Sequence, residues 1–439
     1  MGNRYYGLDH AKGIAVLGTI LSHSFMGTLA QWNSKILFSL VEKIPTVLMV
    51  VLLVPIALFS QMGSLFSFIS AICVTMSFLG ICRKGWPVVW RYLLMKMIYA
   101  VLLRLIEVFW KRFTVDFDMF ETRKLQWPVA SLPFSGDTLD CIGFIGWTIP
   151  LLLYLLSLAP FLGDYRIQIG VVYVLSLIVS FASRSLSQTA ETVEKWCHEH
   201  SLFFTEYLAS KASSGPFQTF QVWPFGLLGC CVGILLNAKV GFRKTLVFAF
   251  IVLAINGISG TFMLLKVDDF ITELFENFKP EGFMMISMIV QLFIVIWLIH
   301  LVDSPRRSLK KRRASLARTT FLRRMNTLSL TAYVLEPFLA KKVFAIFQVL
   351  FGKAVDHDAK VCLWDWPVVG LYALTDTMCA IGIARVWESC GFRFSIEHQL
   401  GAIMHWIWGN HYTKLDYKEN IYGPVQAIDK EISEHKDSV

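Results

Sequence analysis

Long apolar stretches alternate with short polar ones along this chain, and the apolar stretches are of membrane-crossing length. A span needs about 20 mostly apolar residues. Ten stretches are readable as spans: Ala11 to Ala30, Thr46 to Ile81, Val88 to Trp110, Cys141 to Leu162, Ile169 to Ser183, Val222 to Ala238, Thr245 to Leu265, Gly282 to Val302, Met325 to Leu350 and Pro367 to Trp387. The second is too long for one simple helix, and Pro55, Gln61 and Gly63 predict a break within it. Asn256-Gly257 predicts an interruption of the seventh. Between spans, Trp32 to Ile44 reads as an interfacial connector and Lys111 to Asp140 as a polar connection. Leu186 to Gln221 reads as a polar insertion with room for one amphipathic helix, and Asp303 to Arg324 as a strongly basic loop. An amphipathic stretch, Phe392 to Tyr412, and a polar tail follow. The expected fold is all-α and polytopic, with residues 1–413 forming one transmembrane domain and 414–439 a polar cytosolic tail.

Charge sorts the connections by side. With the N-terminus and its Arg4 and Lys12 inside, Arg83-Lys84, Lys239 to Lys244 and Asp303 to Arg324 all fall inside. The last holds Arg306, Arg307, Lys310, Lys311, Arg312, Arg313, Arg318, Arg323 and Arg324. The acidic Lys266 to Glu281 falls outside, as does Gly352 to Trp366 with Asp356, Asp358 and Asp365. That is the positive-inside pattern, and it places both termini in the cytosol.

Composition agrees. Of 439 residues, 55% are hydrophobic and 17% charged, with a mean hydropathy of +0.55. Soluble domains carry nearer a quarter charged residues. The net charge of +9 resides in loops, so it does not indicate nucleic acid. The first apolar run carries Lys12 and no small-residue cleavage site, which argues against a secretory signal. Tyr6 stands where myristoylation after Gly2 needs Ser or Thr. Which membrane hosts the chain is left open.

Chemistry concentrates in Gly7 to Phe25, where Asp9, His10 and Lys12 open an apolar run and His23 lies deep inside it. A titratable group in such a run marks a functional site by default. Lys12 and His23 are eleven residues apart, so on a helix they share a face about 16 Å apart along the axis. Asp9 can pair with Lys12 one turn on, or cap the helix. His23 is then a base or a helix-to-helix hydrogen-bonding residue, and Lys12 a charge for a donor phosphate or a membrane-facing anchor. Arg104 and Glu107 can satisfy each other at i,i+3. Glu336 and Asp376 are acids in apolar runs, each an acceptor-site residue or a partner for Lys341 or another span. His198-Glu199-His200 and Asp356-His357-Asp358 lack metal-ligand spacing, and no metal is expected. No Walker loop or dinucleotide fingerprint is present. Five of the nine cysteines, Cys73, Cys141, Cys230, Cys231 and Cys379, lie in apolar runs as small hydrophobes. Cys197 and Cys362 lie in polar connections on the expected outer side. They pair if that side is oxidising, or remain two free thiols.

The run L-D-x-x-K-G-I-A followed by His23 resembles the first helix of the acyltransferase-3 superfamily of membrane acyltransferases, whose signature is Arg or Lys, ten residues, then His. The superfamily includes heparan-α-glucosaminide N-acetyltransferase-like proteins. Phe66 to Ile72 and Met325 to Phe338 also resemble segments of this family, and Thr138 to Phe144 and Phe225 to Leu236 resemble segments of the heparan branch. Glu336 stands where a His is common in the family, and Lys12 where Arg is more usual. The resemblance implies ten spans, a cytosolic acyl-CoA (acetyl-CoA foremost) as co-substrate, and a glycan or glycolipid hydroxyl or amine as acceptor. It implies His23 as base with Lys12 and Asp9 beside it. Coenzyme A carries phosphates that Arg or Lys recognise, and Arg83, Lys84 and Arg91 near the inner face are its candidates. Two alternatives stay open. One is a transporter or channel-like protein with Lys12, His23, Asp376 and Glu336 along a proton or substrate path. The other is an inactive family member serving in assembly. Membrane lipid is the expected surrounding, and a homodimer is compatible with all of these.

Overall fold

The structure, a computed structural model, describes residues 4–30, 33–43, 62–115, 138–159, 163–213, 217–267, 280–303, 308–409 and 416–437. Most of these residues are helical. In chain order the helices are α1 (Tyr6–His23), continued by a π-helical segment (Ser24–Leu29), α2 (Ser34–Val41), α3 (Met62–Leu79), a 3-10 turn (Cys82–Lys84), α4 (Trp86–Val115) and α5 (Thr138–Leu158). There follow α6 (Tyr165–Glu199), α7 (Phe203–Ser213), α8 (Thr219–Asn237), α9 (Phe242–Leu264), α10 (Glu281–Asp303), α11 (Leu309–Arg318), α12 (Thr320–Thr327) and α13 (Ser329–Phe351). After a two-stranded antiparallel hairpin, β1 (Val355–Asp356) and β2 (Val361–Cys362), come α14 (Trp366–Ser389), α15 (Ile396–Trp408) and α16 (Tyr417–Asp437).

Among the described residues, seven helices are long and apolar enough to cross a membrane: α3, α5, α6, α8, α9, α10 and α14. Helices also form over the other three expected spans, as α1, α4 and α13. Each of those holds charged residues within the helix: Asp9 and Lys12; Arg91, Lys96 and Arg104; Glu336, Lys341 and Lys342. The surface has the character of a membrane protein. On α6, Ile167, Val171, Val174, Ile178 and Phe181 are exposed at alternating steps of four and three, which is one continuous apolar stripe. On α9, Val247, Phe250, Ile251, Leu253, Ile255, Ile258 and Phe262 are exposed together. Patches of that extent on a helix face mark contact with lipid rather than water.

Several elements differ from expectation. The fifth span does not end near Ser183: α6 runs unbroken for 35 residues, from Tyr165 to Glu199. No Gly or Pro occurs between Val171 and Glu199, so nothing stops the helix when its sequence turns polar. At about 1.5 Å per residue α6 is roughly 52 Å long, well beyond a hydrocarbon core of about 30 Å, and α7 packs along it. Asn256-Gly257 does not interrupt α9, because the Asn256 amide is buried and accepts a 2.7 Å hydrogen bond from the Tyr173 hydroxyl on α6. The basic stretch before the ninth span is helical as α11 and α12, and the polar tail is helical as α16. Within the interfacial connector lies α2, capped by Asn33, whose side chain accepts from the Lys35 amide. The expected break near Pro55 and the connection from 116 to 137 lie outside the described residues.

The chain divides into two compact units. One comprises Met1–Arg4, Gly63–Val108 and Leu125–Trp297. Its centre is α8, most of whose residues are buried. Gly229 lets α8 approach α3 closely, since a Cβ there would lie 2.3 Å from the Phe68 carbonyl oxygen. In this unit Asp140 Oδ2 takes Lys211 Nζ at 3.0 Å and Arg104 Nη1 at 3.2 Å. Arg104 therefore pairs across helices with Asp140; the Glu107 side chain lies outside the described set.

The other unit comprises Tyr5–Met62, Phe109–Lys124 and Leu298–Val439. Here α1 packs on α12, α13 and α14. Gly13 is where α1 meets α12, and a Cβ would lie 2.3 Å from the Leu322 carbonyl oxygen. The former tail, α16, packs on α11 and α12. The buried Arg323 donates from Nε to the Ile421 carbonyl at 2.8 Å and from Nη2 to the Leu316 carbonyl at 2.8 Å. Arg324 pairs with Glu388 at 2.8 Å, and Glu388 also accepts from Tyr422 and Arg385. So two cations of the expected basic loop are buried and hold α12, α14 and α16 together.

Candidate active site

The site is built on α1. Its N-cap residue, Tyr5, offers no side-chain cap. The cap comes from Asp303 at the end of α10, whose Oδ1 accepts from the Tyr6 amide at 2.9 Å and Oδ2 from the Gly7 amide at 2.8 Å. An anion at a helix N-terminus is stabilised by the orphan amides and the dipole. Asp9 is not the cap, because it already lies inside the helix. Its Oδ1 accepts from Asn326 Nδ2 at 3.0 Å. His10, the other histidine of α1, is buried, with Nδ1 2.8 Å from the Tyr6 carbonyl and Nε2 against the Thr319 hydroxyl. These contacts fix the position of α1 within its unit.

At His23 the α-helix gives way to the π-helical turn, a rare form that is frequent at functional sites. Two side chains at this junction reach acids on different helices. His23 Nδ1 lies 2.8 Å from Glu336 Oε2 on α13, with the Glu336 side chain 4% exposed and the His23 side chain 29% exposed. Ser24 Oγ lies 2.7 Å from Asp376 Oδ2 on α14 and 2.9 Å from the Ile20 carbonyl. Asp376 is fully buried, and its second oxygen, Oδ1, has no hydrogen-bond partner among the described residues. Tyr372, one turn before Asp376 and fully buried, donates its hydroxyl to the Ala340 carbonyl of α13 at 3.4 Å. Its ring is held by Phe344, Phe347 and Trp364 at centroid distances of 5.5, 5.6 and 6.1 Å. Pro337 follows Glu336 inside α13, and a proline there lacks the amide that would close the helix ladder.

An ionised carboxylate only accepts hydrogen bonds, so Glu336 assigns the hydrogen of His23 to Nδ1. That leaves Nε2 as the nitrogen with a lone pair, the arrangement by which a carboxylate orients a histidine for proton transfer. The site thus unites one imidazole and two buried carboxyls, with the Ser24 hydroxyl on the second of them.

The sequence-derived residues divide accordingly. His23, Glu336 and Asp376 come together, with Glu336 pairing to His23 rather than to Lys341, which is exposed. Lys12 and Asp9 do not join them: Lys12 is half-buried on α1, about 16 Å along the axis from His23, and Asp9 is engaged by Asn326. Arg83, Lys84 and Arg91 are exposed at the 3-10 turn and the start of α4, in the other unit. His198 pairs with Glu206 at 2.9 Å, and Asp356 Oδ1 accepts from the Asp358 and Ala359 amides in the hairpin turn. Among the described residues no three His, Cys, Asp or Glu gather as a metal set. Cys197 and Cys362 form no bridge. Each is a buried free thiol, and Cys362 Sγ lies 3.5 Å from the Trp364 carbonyl within the hairpin region.

Sequence reasoning missed Ser24, Tyr372, Asn326 and Asp303. Ser24 carried a signal, a hydroxyl directly after His23 in a largely apolar run. No protein-family model, curated protein or solved structure matches the chain.

Proposed function

We propose that the chain is a membrane acyltransferase. It moves an acyl group, acetyl foremost, from a cytosolic acyl-CoA to a hydroxyl or amine of a sugar-containing acceptor. The observation that carries this reading is the 2.8 Å pairing of His23 Nδ1 with the buried Glu336. It supplies what acyl transfer requires, a histidine fixed in one tautomer inside an apolar environment. In this reading His23 Nε2 removes the acceptor proton as the acceptor attacks the thioester carbonyl, and then protonates the departing thiolate. The resemblance of Gly7 to Phe25 to the acyltransferase-3 first helix supports it. Asp9, through Asn326, positions α1, and Lys12 contributes positive charge on the same helix. The donor phosphates call for exposed cations, which Arg83, Lys84 and Arg91 supply in one unit and Lys310, Lys311 and Arg318 in the other. The topology that goes with this reading has ten spans and both termini cytosolic.

The test is release of free thiol from acetyl-CoA by the purified protein with an amino-sugar acceptor. His23→Ala is expected to lower it by about 10²–10⁴-fold, the range of general acid–base catalysis, while the protein stays monodisperse. Turnover at the wild-type rate in that variant would place the base elsewhere.

A further inference from the structure

The acids of this site outnumber what transfer to a hydroxyl requires. A hydroxyl surrenders one proton when it is acylated, and His23 with Glu336 suffices to take it. An amine enters as its ammonium ion and surrenders two, one to become a nucleophile and one on forming the amide. Beside the His23–Glu336 pair stands a second carboxyl, fully buried, with Oδ2 committed to Ser24 and Oδ1 without a hydrogen-bond partner among the described residues. A buried carboxylate oxygen without a donor is costly, and a site that retains one is shaped for a donor that arrives from outside.

We propose that Asp376 is the second proton acceptor of the site, which fits it to an amine acceptor brought in as its ammonium ion. The inference rests on the acyl-transfer reading of the same site. The ammonium N–H donates to Asp376 Oδ1 and passes one proton there, leaving a neutral amine. The nitrogen lone pair then forms the C–N bond with the thioester carbonyl carbon, and the C–S bond breaks. The second nitrogen proton goes to His23 Nε2 and from there to the thiolate sulfur. The sum is R–NH3+ plus acyl-CoA giving the amide, coenzyme A thiol and one proton. That proton sits on Asp376 until it is released to solvent. Ser24 acts as a positioning residue, holding Oδ2 so that Oδ1 faces the acceptor.

The experiment offers acceptors that carry both groups on one molecule, glucosamine and sphinganine, with radiolabelled acetyl-CoA. The product bond is read by its lability to mild alkali, which cleaves esters and spares amides. The wild-type protein is expected to give the amide. Asp376→Asn is expected to cut amide formation by about 100-fold or more relative to ester formation. Asp376→Glu, which keeps the carboxyl, is expected to retain the preference for nitrogen at a lower rate, and it serves where the Asn variant does not fold. Ester as the main wild-type product overturns this inference and leaves the acyltransferase reading standing. So does an unchanged amide-to-ester ratio in Asp376→Asn, or loss of the nitrogen preference in a folded Asp376→Glu. Absence of labelled product from both acceptors, with no thiol released from acetyl-CoA, overturns the two together.

Discussion

A histidine whose Nδ1 is held by a carboxylate presents one tautomer, and this determines what substitution of its partner does. Glu336→Gln keeps the shape at α13, but the side-chain amide can donate as well as accept. The Nδ1-protonated tautomer is then no longer enforced, and the imidazolium formed during transfer loses its counter-charge. Acyl transfer is expected to fall by about 10²-fold or more with little change in the Michaelis constant for acetyl-CoA, as measured by steady-state thiol release. A fall confined to the Michaelis constant would instead place Glu336 in donor binding. The three titratable members of the site were readable beforehand, because His23, Glu336 and Asp376 interrupt runs where ionisable groups are rare. Their partnership was not. It depends on contacts across 313 and 352 residues of chain, which no local pattern encodes. The phase relation of Lys12 to His23 describes one helix correctly, yet contacts from other helices decide which groups meet.

At the scale of elements, α13 and α15 start by capping each other. Glu397 of α15 accepts from the Leu330 and Thr331 amides at 2.6 and 3.1 Å, at the first turn of α13. Thr331 Oγ1 in turn accepts from the Ile396 amide of α15 at 2.8 Å. Burial holds the Glu397 carboxyl above its ordinary value, although the donors around it pull the other way. A carboxyl raised on folding contributes stability below its unfolded value, and that contribution is lost as pH rises through the folded one. Glu397 is therefore expected to contribute a decline in melting temperature as pH rises from about 4.5. Glu397→Gln should remove part of that slope, as followed by thermal unfolding in detergent. An unchanged slope would show that Glu397 does not report on the fold in this range. Helix identity was largely legible in the sequence, but helix ends were not. The continuation of α6 through Ser187, Thr192 and Lys195 shows why: polarity marks exit from lipid, whereas helices end where the backbone is blocked or recapped. Likewise the charges of α11 and α12 read as a solvated loop, although buried Arg323 finds carbonyl partners that only folding supplies.

At the scale of the whole molecule, both units expose apolar faces, and the charge pattern implies how the chain threads between the two sides of the membrane. Lys239 and Lys266 flank α9. In the proposed topology, cysteine labels at these two positions should react from opposite sides, while labels at Lys310 and Lys418 should share the side of Lys239. Reaction of Lys239 and Lys266 from one side would remove α9 from the set of spans and overturn the ten-span proposal. The placement of α1 also has a consequence during synthesis. Its cap, Asp303, and its partners Glu336 and Asp376 are encoded 296 to 352 residues after the residues they bind. At about 5–20 residues per second, the ribosome delivers them roughly 15–70 s after α1 has been made. For that interval the helix exists with its histidine and serine unmatched and its first amides uncapped. A helix made early is therefore completed late, and the site closes only once Asp376, 352 residues after Ser24, has been made.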